Sequence, residues 1–446
     1  MNYLIGLDIG TSAVKGVLLS AEGRVIDTVN GPFTYTEKGT ARLLDPEEFI
    51  STCFGVIRDL AKSADGAVAA ISACCASGNI ILLDEDMKPI TPIIGWQTTV
   101  PMSDVEKLHT KEEIDAVYNI VGWPALDSFP FATLSSMRVN RPDLLDSAKM
   151  VTMSAEYLAY RLTGKWGISH SMGTPFYMMD QEKGVYNKAL LEKLGICECK
   201  LPPIYDKGTV LGALTAESVS DLGTGADTKY VLGSFDHPSG ALGAGVLKEG
   251  EMLLSCGTSW VELFPVKSRE FAISTGGLVD RYMLNGAPYC VMKSLTSVTE
   301  KINYLRNKFF GSVPHKEFDG YVGEGVLGCG GLAFDFDDLD AVDPAGHTKP
   351  EIARAIIESA ARMLGENLAE LKKCGLECNK VVIIGGITNA KVCIDVIEEV
   401  LGIPLESVNG QSAGAVGSAL LAGIGVGIYE SETAAFEKMY ANLKNK

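Results

Sequence analysis

Two short turns and two aspartates carry the chemistry that this sequence can do. The first turn, Gly10-Thr11-Ser12, sits in LDIGTSAV (7–14), and the second, Gly257-Thr258-Ser259, sits in LSCGTSWV (254–261). A Gly-Thr-Ser turn can aim backbone N–H groups and two hydroxyls at one point, a concavity suited to phosphate. One copy reads as a plain hairpin turn. Two copies suit a polyphosphate chain lying between two domains, which needs donors from both sides. Asp8 precedes the first turn and Ser255 stands at its counterpart, so only one copy carries a carboxylate, as expected for a single Mg²⁺ held near Asp8 through water. A buried strand Asp without such a role is costly.

The second aspartate, Asp236, stands in GSFDHPSGALGAGV (233–246). Pro238 suits the first turn of a helix and biases His237 toward the extended conformation of an N-cap, so a helix is expected to start here. Interior glycines cost a helix roughly 1 kcal/mol each against Ala, so Gly240, Gly243 and Gly245 imply that something approaches this backbone closely. A helix N-terminus favours a carboxylate in its charged form, and Asp236 is expected to be ionised at neutral pH. The pair Gly385-Gly386, closing the strand KVVIIGG (380–386), can let backbone lie flat against an adenine or ribose; any strand-to-helix turn also tolerates it.

The elements that must position these residues alternate between strand and helix patterns, which implies layered α/β domains. The first thirty residues read as a β-meander. DPEEFISTCFGVIRDLAKSA (45–64) reads as a helix capped by Asp45, with Pro46 at its first position and Phe49, Cys53, Val56, Ile57 and Leu60 on one face. A strand, VAAISACC (68–75), follows. The recurrence of the tripeptide at a second hairpin implies two halves of common architecture, the second beginning near Gly245. That half closes with TKPEIARAIIESAARMLGENLAELKKCG (348–375), an amphipathic helix bearing a capping box at Thr348 and Glu351 and a stop at Gly375, then a strand, a helix over 390–401, and SAGAVGSALLAG (412–423).

Composition narrows the partners. At 446 residues two domains of comparable size are expected. A net charge of −17 without a basic cluster opposes a nucleic-acid partner. The 11 cysteines are scattered with no CxxC and the 5 histidines form no HExxH, which reads as buried thiols in a reducing cytoplasm and not as a disulfide frame or a zinc site. The start MNYLIGLDIG has no positively charged leader region, and AGAVGSALLAGIGVGIY (413–429) is short of a membrane span, so a buried, closely packed helix is expected there and no membrane partner. The P-loop pattern GxxxxGK[ST] is absent, as is GxGxxG after a strand.

Taken in order, these segments resemble the FGGY carbohydrate kinases, within the actin and hexokinase superfamily. GLDIGTSAVKGVLL (6–19) is similar to the family's first phosphate motif, LLDEDMKPITPIIGWQ (82–97) to its sugar-side strand pair and YLAYRLTGKW (157–166) to its mid-domain helix. LPPIYDKGTVLGALTAE (201–217) is similar to its linker, LLSCGTSWV (253–261) to its second phosphate motif and VVIIGGITNA (381–390) to its adenosine motif. The resemblance runs nearly end to end. It implies two ribonuclease-H-like domains, 1–244 for substrate and 245–446 for ATP, with the chemistry in the cleft between them.

It also implies roles. Asp236 matches the catalytic Asp. The ATP phosphates are expected at Gly10, Thr11, Ser12, Gly257, Thr258 and Ser259, Mg²⁺ near Asp8, adenosine against Gly385, Gly386 and Asn389, and the substrate near Asn79, Trp96, Gln97 and His237. The expected activity is ATP-dependent phosphorylation of a hydroxyl of a small sugar, polyol or sugar acid. The alternative is a non-catalytic nucleotide- and sugar-binding sensor on the same fold. The oligomeric state is left open, a homodimer being one form it can take. Three departures fall on the substrate side or in a lid: ASGN (76–79) stands where relatives often have QMHG, so Gly78 replaces a sugar-contacting His; Thr98 stands where they often have Asp; and GLAFDFDDLDAVDPAG (331–346) stands near the place of a GERTP segment.

Overall fold

The computed structural model describes residues 2–257, 259–408 and 412–444, and Thr258, one of the expected phosphate ligands, lies outside them. Its contacts divide the chain into two compact units. The first opens with the expected meander, β1 (Asn2–Ile9), β2 (Ala13–Ser20) and β3 (Val25–Pro32). Asp45 then caps α1 (Pro46–Lys62), its Oδ1 accepting from the N–H groups of Glu47 and Glu48 at 2.9 Å, and the whole predicted apolar face of this helix is buried. After β4 (Ala67–Cys75) come α2 (Phe129–Asn140), α3 (Ser154–Thr163), α4 (His170–Phe176), β5 (Val210–Ala213), β6 (Lys229–Val231) and α5 (Asp236–Ala244). The strands form one sheet in the order β5-β6-β4-β1-β2-β3, with β1 antiparallel to β2 and parallel to β4.

The second unit repeats this plan. It holds β7 (Gly250–Cys256), β8 (Trp260–Val266), β9 (Tyr289–Leu295), α6 (Val298–Phe310), α7 (Lys349–Lys373), β10 (Cys378–Gly385), α8 (Lys391–Leu401) and β11 (Leu405–Ser407). Its strands run β9-β8-β7-β10-β11, with β7 antiparallel to β8 and parallel to β10, so the echo between the two tripeptides reflects a shared topology. The hairpins differ in register: Ile9 pairs with Val14, whereas Cys256 pairs with Trp260, closing the second one residue sooner. The capping box at Thr348 and Glu351 forms, and Gly375 follows the helix end with φ +90°.

The boundary expected at 244/245 is only part of the division. The chain leaves the first unit after Gly245, but residues 278–289 belong to the first unit again, as do α9 (Ala413–Gly425) and α10 (Glu432–Lys444). The segment expected to close the second half therefore completes the first. α9 is buried from Ala413 to Gly423, and among the described residues no helix is long and apolar enough to cross a membrane.

This packing also explains the costly glycines. A Cβ on Gly243 would lie 2.0 Å from the Ala413 carbonyl oxygen, one on Gly417 would lie 1.9 Å from that of Ser239, and one on Gly6 would lie 1.9 Å from that of Ala415. At Gly243 what approaches the α5 backbone is another helix, α9, and at Gly245 it is the Phe436 ring of α10. A second correction concerns the cysteines: Cys197 and Cys199 form a disulfide, with Cα atoms 5.1 Å apart, within the normal reach of such a bridge. The remaining cysteines are free thiols.

Because the neighbours at Gly417 are backbone atoms that cannot move aside, Gly417→Ala is expected to destabilise the protein by at least about 1–3 kcal/mol. Gly320→Ala, in the helix His315–Glu324 where a Cβ meets nothing within 4 Å, is expected to add about 0.4–1 kcal/mol. Scanning calorimetry of the two variants checks this; similar melting temperatures would contradict the close packing of α9.

Candidate functional site

Asp8 lies near the end of β1, opposite Lys15 on β2 and beside Cys74 on β4. The Cys74 thiol donates to its Oδ1 across 3.7 Å. A Cβ on Gly414, in the first turn of α9, would lie 2.7 Å from Asp8 Oδ2, so the carboxylate rests against that helix's N-terminal turn. Burial and then the charge of Asp236 push the Asp8 carboxyl up to about 6, against a smaller opposing pull from Lys15, which is exposed.

Asp236 is the first residue of α5, and the N-cap is Phe235, with φ −57° and ψ 154°, not His237 as the position of Pro238 had suggested. Pro238 falls third in the helix, where its missing N–H has no partner to lose. Asp236 Oδ1 accepts from the His237 N–H at 2.7 Å. Burial raises the Asp236 carboxyl above its ordinary value and outweighs the lowering by His237 and the helix N–H groups, so the helix end does not by itself hold the charged form as expected.

Around this pair the first unit builds an aromatic wall. Trp96 donates its indole N–H to Thr11 Oγ1 at 3.1 Å and stacks on Phe129 with centroids 5.6 Å apart. Trp123 meets Phe129 edge-on at 5.5 Å and Phe235 at 5.4 Å, and Phe235 meets His237 at 5.5 Å, so the wall runs from the first turn to Asp236's neighbour. Phe129 packs directly over Gly78: a Cβ on Gly78, whose φ is +90°, would lie 2.3 Å from the Phe129 ring. Phe129 itself has φ +67°, a conformation that costs a bulky residue strain and marks a position fixed by its surroundings. Sequence reasoning missed Phe129 and Trp123, although GW (122–123) and SFPF (128–131) place unusual aromatic density just after the sugar-side motif.

Other predicted contacts divide. Asn79 is buried with its amide engaged by one residue, Oδ1 accepting from the Ser154 N–H at 2.7 Å and Nδ2 donating to Ser154 Oγ at 3.0 Å; it shapes the start of α3 while lining a small cavity with Thr11 and Trp96. Gln97 Oε1 accepts from Arg42 at 2.7 Å, and Thr98, standing where an Asp was anticipated, caps the Arg42 N–H at 3.1 Å. In the first turn Gly10 N–H donates to Ala13 O at 2.9 Å, and Ser12 is exposed.

The second unit's turn is built separately. Gly257 N–H donates to Ser259 O at 3.2 Å, Thr299 Oγ1 donates to Gly257 O at 2.6 Å while accepting from the Trp260 indole, and the Ser297 N–H donates to Ser259 Oγ at 3.2 Å. Ser297 and Thr299, at the start of α6, were not anticipated. A Cβ on Gly385, at φ +102°, would meet the Cys256 carbonyl oxygen at 2.2 Å, so the neighbouring strand already demands this glycine. Gly386 and Asn389 are exposed, and a Cβ on Gly386 would meet nothing.

Residues 3–243 match the N-terminal domain of the FGGY family of carbohydrate kinases, and residues 342–426 match its C-terminal domain. This chain belongs to that family. It is 23% identical over 452 residues to a xylulose kinase from Staphylococcus epidermidis, covering 96% of this chain and 89% of that protein. It is 25% identical over 466 residues to an autoinducer-2 kinase from Yersinia pseudotuberculosis, with 96% and 87% covered. Among solved structures, the ligand-bound xylulose kinase from Lactobacillus acidophilus shares the fold with a TM-score of 0.87 at 22% identity, covering 100% of this chain and 98% of that one. The protein is thus a carbohydrate kinase on two α/β units, in which the Asp8–Asp236 pair and the aromatic wall belong to the unit carrying the family's N-terminal domain.

The raised Asp8 carboxyl makes this FGGY kinase sensitive to pH in a defined direction. Its folded-state value, about 6, lies above the ordinary 3.8, so the folded protein holds that proton more tightly and loses stability as pH rises from about 4 through 6. Asp8→Asn removes the loss. At pH 7.5 without divalent cations the variant is expected to be more stable than the parent by about 2 kcal/mol, a figure reduced for the solvent at the carboxyl's exposed edge. Denaturant titrations at pH 4 and 7.5 check this; a variant less stable than the parent at pH 7.5 contradicts it.

Proposed function

We propose that this kinase transfers the γ-phosphate of ATP to a hydroxyl of a small sugar, polyol or sugar acid, with Asp236 as the proton acceptor. The observation that carries the reading is the placement of Asp236 at the N-terminus of α5, near enough to Asp8 that its charge raises the Asp8 carboxyl. Relatives named for xylulose and autoinducer-2 support a small polyhydroxy substrate. The face of Trp96, stacked on Phe129, offers an apolar plane for a sugar's C–H groups, with Gln97 and His237 as polar neighbours. Gly10, Thr11 and Ser12 in the first unit and Gly257, Thr258 and Ser259 in the second would supply phosphate contacts, and Gly386 and Asn389 with the Gly385 turn would face the adenosine.

Asp8 and Asp236 fit a Mg²⁺ site. Two half-buried carboxylates, both made costly to ionise by burial and Asp8 further by the charge of Asp236, are relieved by a divalent cation, and their oxygens are the hard ligands that Mg²⁺ takes. No cluster of three or more acidic, His or Cys ligands exists among the described residues, which suits a metal completed by nucleotide oxygens and water. When bound, Mg²⁺ neutralises charge on the transferred phosphate. The remaining work falls to the chain. Asp236, its carboxyl raised toward neutrality, accepts the hydroxyl proton, and the N–H groups at the start of α5 favour the anionic oxygens nearby. Retention of this base counts against the sensor reading, which has no use for one.

Asp236→Asn is expected to keep the fold and ATP affinity while turnover falls by roughly two to four orders of magnitude. Calorimetric ATP binding, with ATP consumption measured across a panel of sugars, polyols and sugar acids, checks this. Turnover within about threefold of the parent would remove Asp236 from the role.

A further inference from the structure

Asp280 is a buried carboxylate that the reaction described above does not use, yet it is linked by hydrogen bonds to the residue beside Asp236. Its relative exposure is 0%. It belongs to the stretch 278–289 that the first unit takes from between two segments of the second. Two residues of that stretch are hydrogen-bonded to the first unit: the Val279 N–H donates to Gly122 O at 2.9 Å, Gln181 Nε2 donates to Val279 O at 2.8 Å, and the Leu284 N–H donates to Glu432 Oε1 at 2.7 Å.

The Asp280 carboxylate is occupied on both oxygens. Oδ1 accepts from the Arg281 N–H at 2.7 Å, and Oδ2 accepts from the Ser171 hydroxyl at 2.8 Å. Ser171, buried in α4, has one proton to give. With that proton on Asp280, the hydroxyl's lone pairs are left to accept, and the Phe235 N–H donates to Ser171 Oγ at 3.0 Å. Phe235 is the N-cap of α5 and Asp236 its first residue, so this N–H anchors the Ser234–Phe235 peptide, one residue before the Cα that carries the Asp236 side chain. Phe235 also abuts the aromatic wall through Trp123 and His237.

We infer that Asp280 is a positioning residue for Asp236, acting through the Ser171 hydroxyl and the Phe235 N–H. The inference rests on the reading of Asp236 as the proton acceptor. A hydrogen bond to a buried carboxylate is stronger than a neutral one and fixes which way a rotatable hydroxyl points. Without it the Ser171 hydroxyl is free to turn, and the start of α5 loses its directed partner. Phosphoryl transfer depends on alignment of the acceptor hydroxyl, so a displacement of about 1 Å at the base costs on the order of 10²-fold. Burial leaves the Asp280 carboxyl at about 7, with the Ser171 and Thr174 hydroxyls, the Arg281 N–H and the more distant Lys207 holding it down.

The test is a set of cycles on the full-length enzyme. Ser171→Ala, Asp280→Ala and Asp280→Asn are each made in the parent and in an Asp236→Asn background, and kcat and KM for ATP and sugar are measured with melting temperatures. In the parent, Ser171→Ala and Asp280→Ala are expected to lower kcat by about 10–100-fold with the KM for ATP within about threefold. Asp280→Asn keeps one acceptor oxygen, which can serve Ser171 while its NH₂ replaces the acceptor of the Arg281 N–H, and is expected to recover part of that loss. In the Asp236→Asn background none of the three should lower turnover by more than about threefold, because the group they aim is already disabled. Equal losses in both backgrounds, with Asp236→Asn itself severely impaired, overturn the positioning role alone. An Asp236→Asn enzyme as active as the parent overturns the proton-acceptor reading and this inference with it. Should Asp280→Ala fail to fold, Ser171→Ala and Asp280→Asn decide the matter by the same criteria.

Discussion

The first unit depends on the approach of α9 to the backbones of β1 and α5. Gly6, Gly243 and Gly417 each face a carbonyl oxygen of the neighbouring element at about 2 Å from where a Cβ would stand. Interiors packed this closely tolerate no added methyl group without a shift of backbone. The same approach brings Gly414 against Asp8, while Ser239 of α5 donates to the Gly414 carbonyl at 2.9 Å. The two aspartates are therefore set by a seam of small residues, and the chemistry of the site follows from packing far more than from any local motif.

That placement has an electrostatic cost. Asp8 and Asp236 are both raised by burial, and Asp8 further by the charge of its neighbour. A site selected for stability alone would replace such a pair with apolar or amide side chains. Perturbed carboxyls of this kind cluster at functional sites, and the pair is what the proposed roles of cation ligand and proton acceptor rest on. The buried Asp280 follows a different logic. Its oxygens are met by an N–H and a hydroxyl, and its neighbour Ser171 passes the constraint to the N-cap of α5.

The two units show what a repeated topology keeps and what it releases. Both place a Gly-Thr-Ser turn between antiparallel strands, with a parallel strand on the far side of the first. Both tie an indole N–H to a threonine hydroxyl near the turn, Trp96 to Thr11 and Trp260 to Thr299. The carboxylates differ. The second unit has Ser255 at the place of Asp8 and instead buries Glu262, pushed up to about 8 by desolvation and held by Asn367. The common fold thus carries the turn sequence twice and the aspartate pair once.

Much of this was legible in the sequence because the deciding interactions are short in range. Asp45 caps α1 within three residues, Thr348 and Glu351 close a capping box across one turn, and the apolar period of 45–64 marks the face that α1 buries. The meander, the repeated turn and the helix start near Asp236 are of the same kind, each fixed by neighbours along the chain, and the apolar, glycine-rich composition of 413–423 marks it as a segment to be buried without telling against what. What covers a face is a different question. No local pattern tells that Gly243 meets α9, that Phe129 fills the space over Gly78, that Asn79 is engaged by Ser154, or that residues 278–289 and α9 rejoin the first unit and bring Asp280 to Ser171. Those pairings join residues up to hundreds of positions apart, and they are chosen by which surfaces exclude water and satisfy buried polar groups together, a condition that only the assembled tertiary structure imposes.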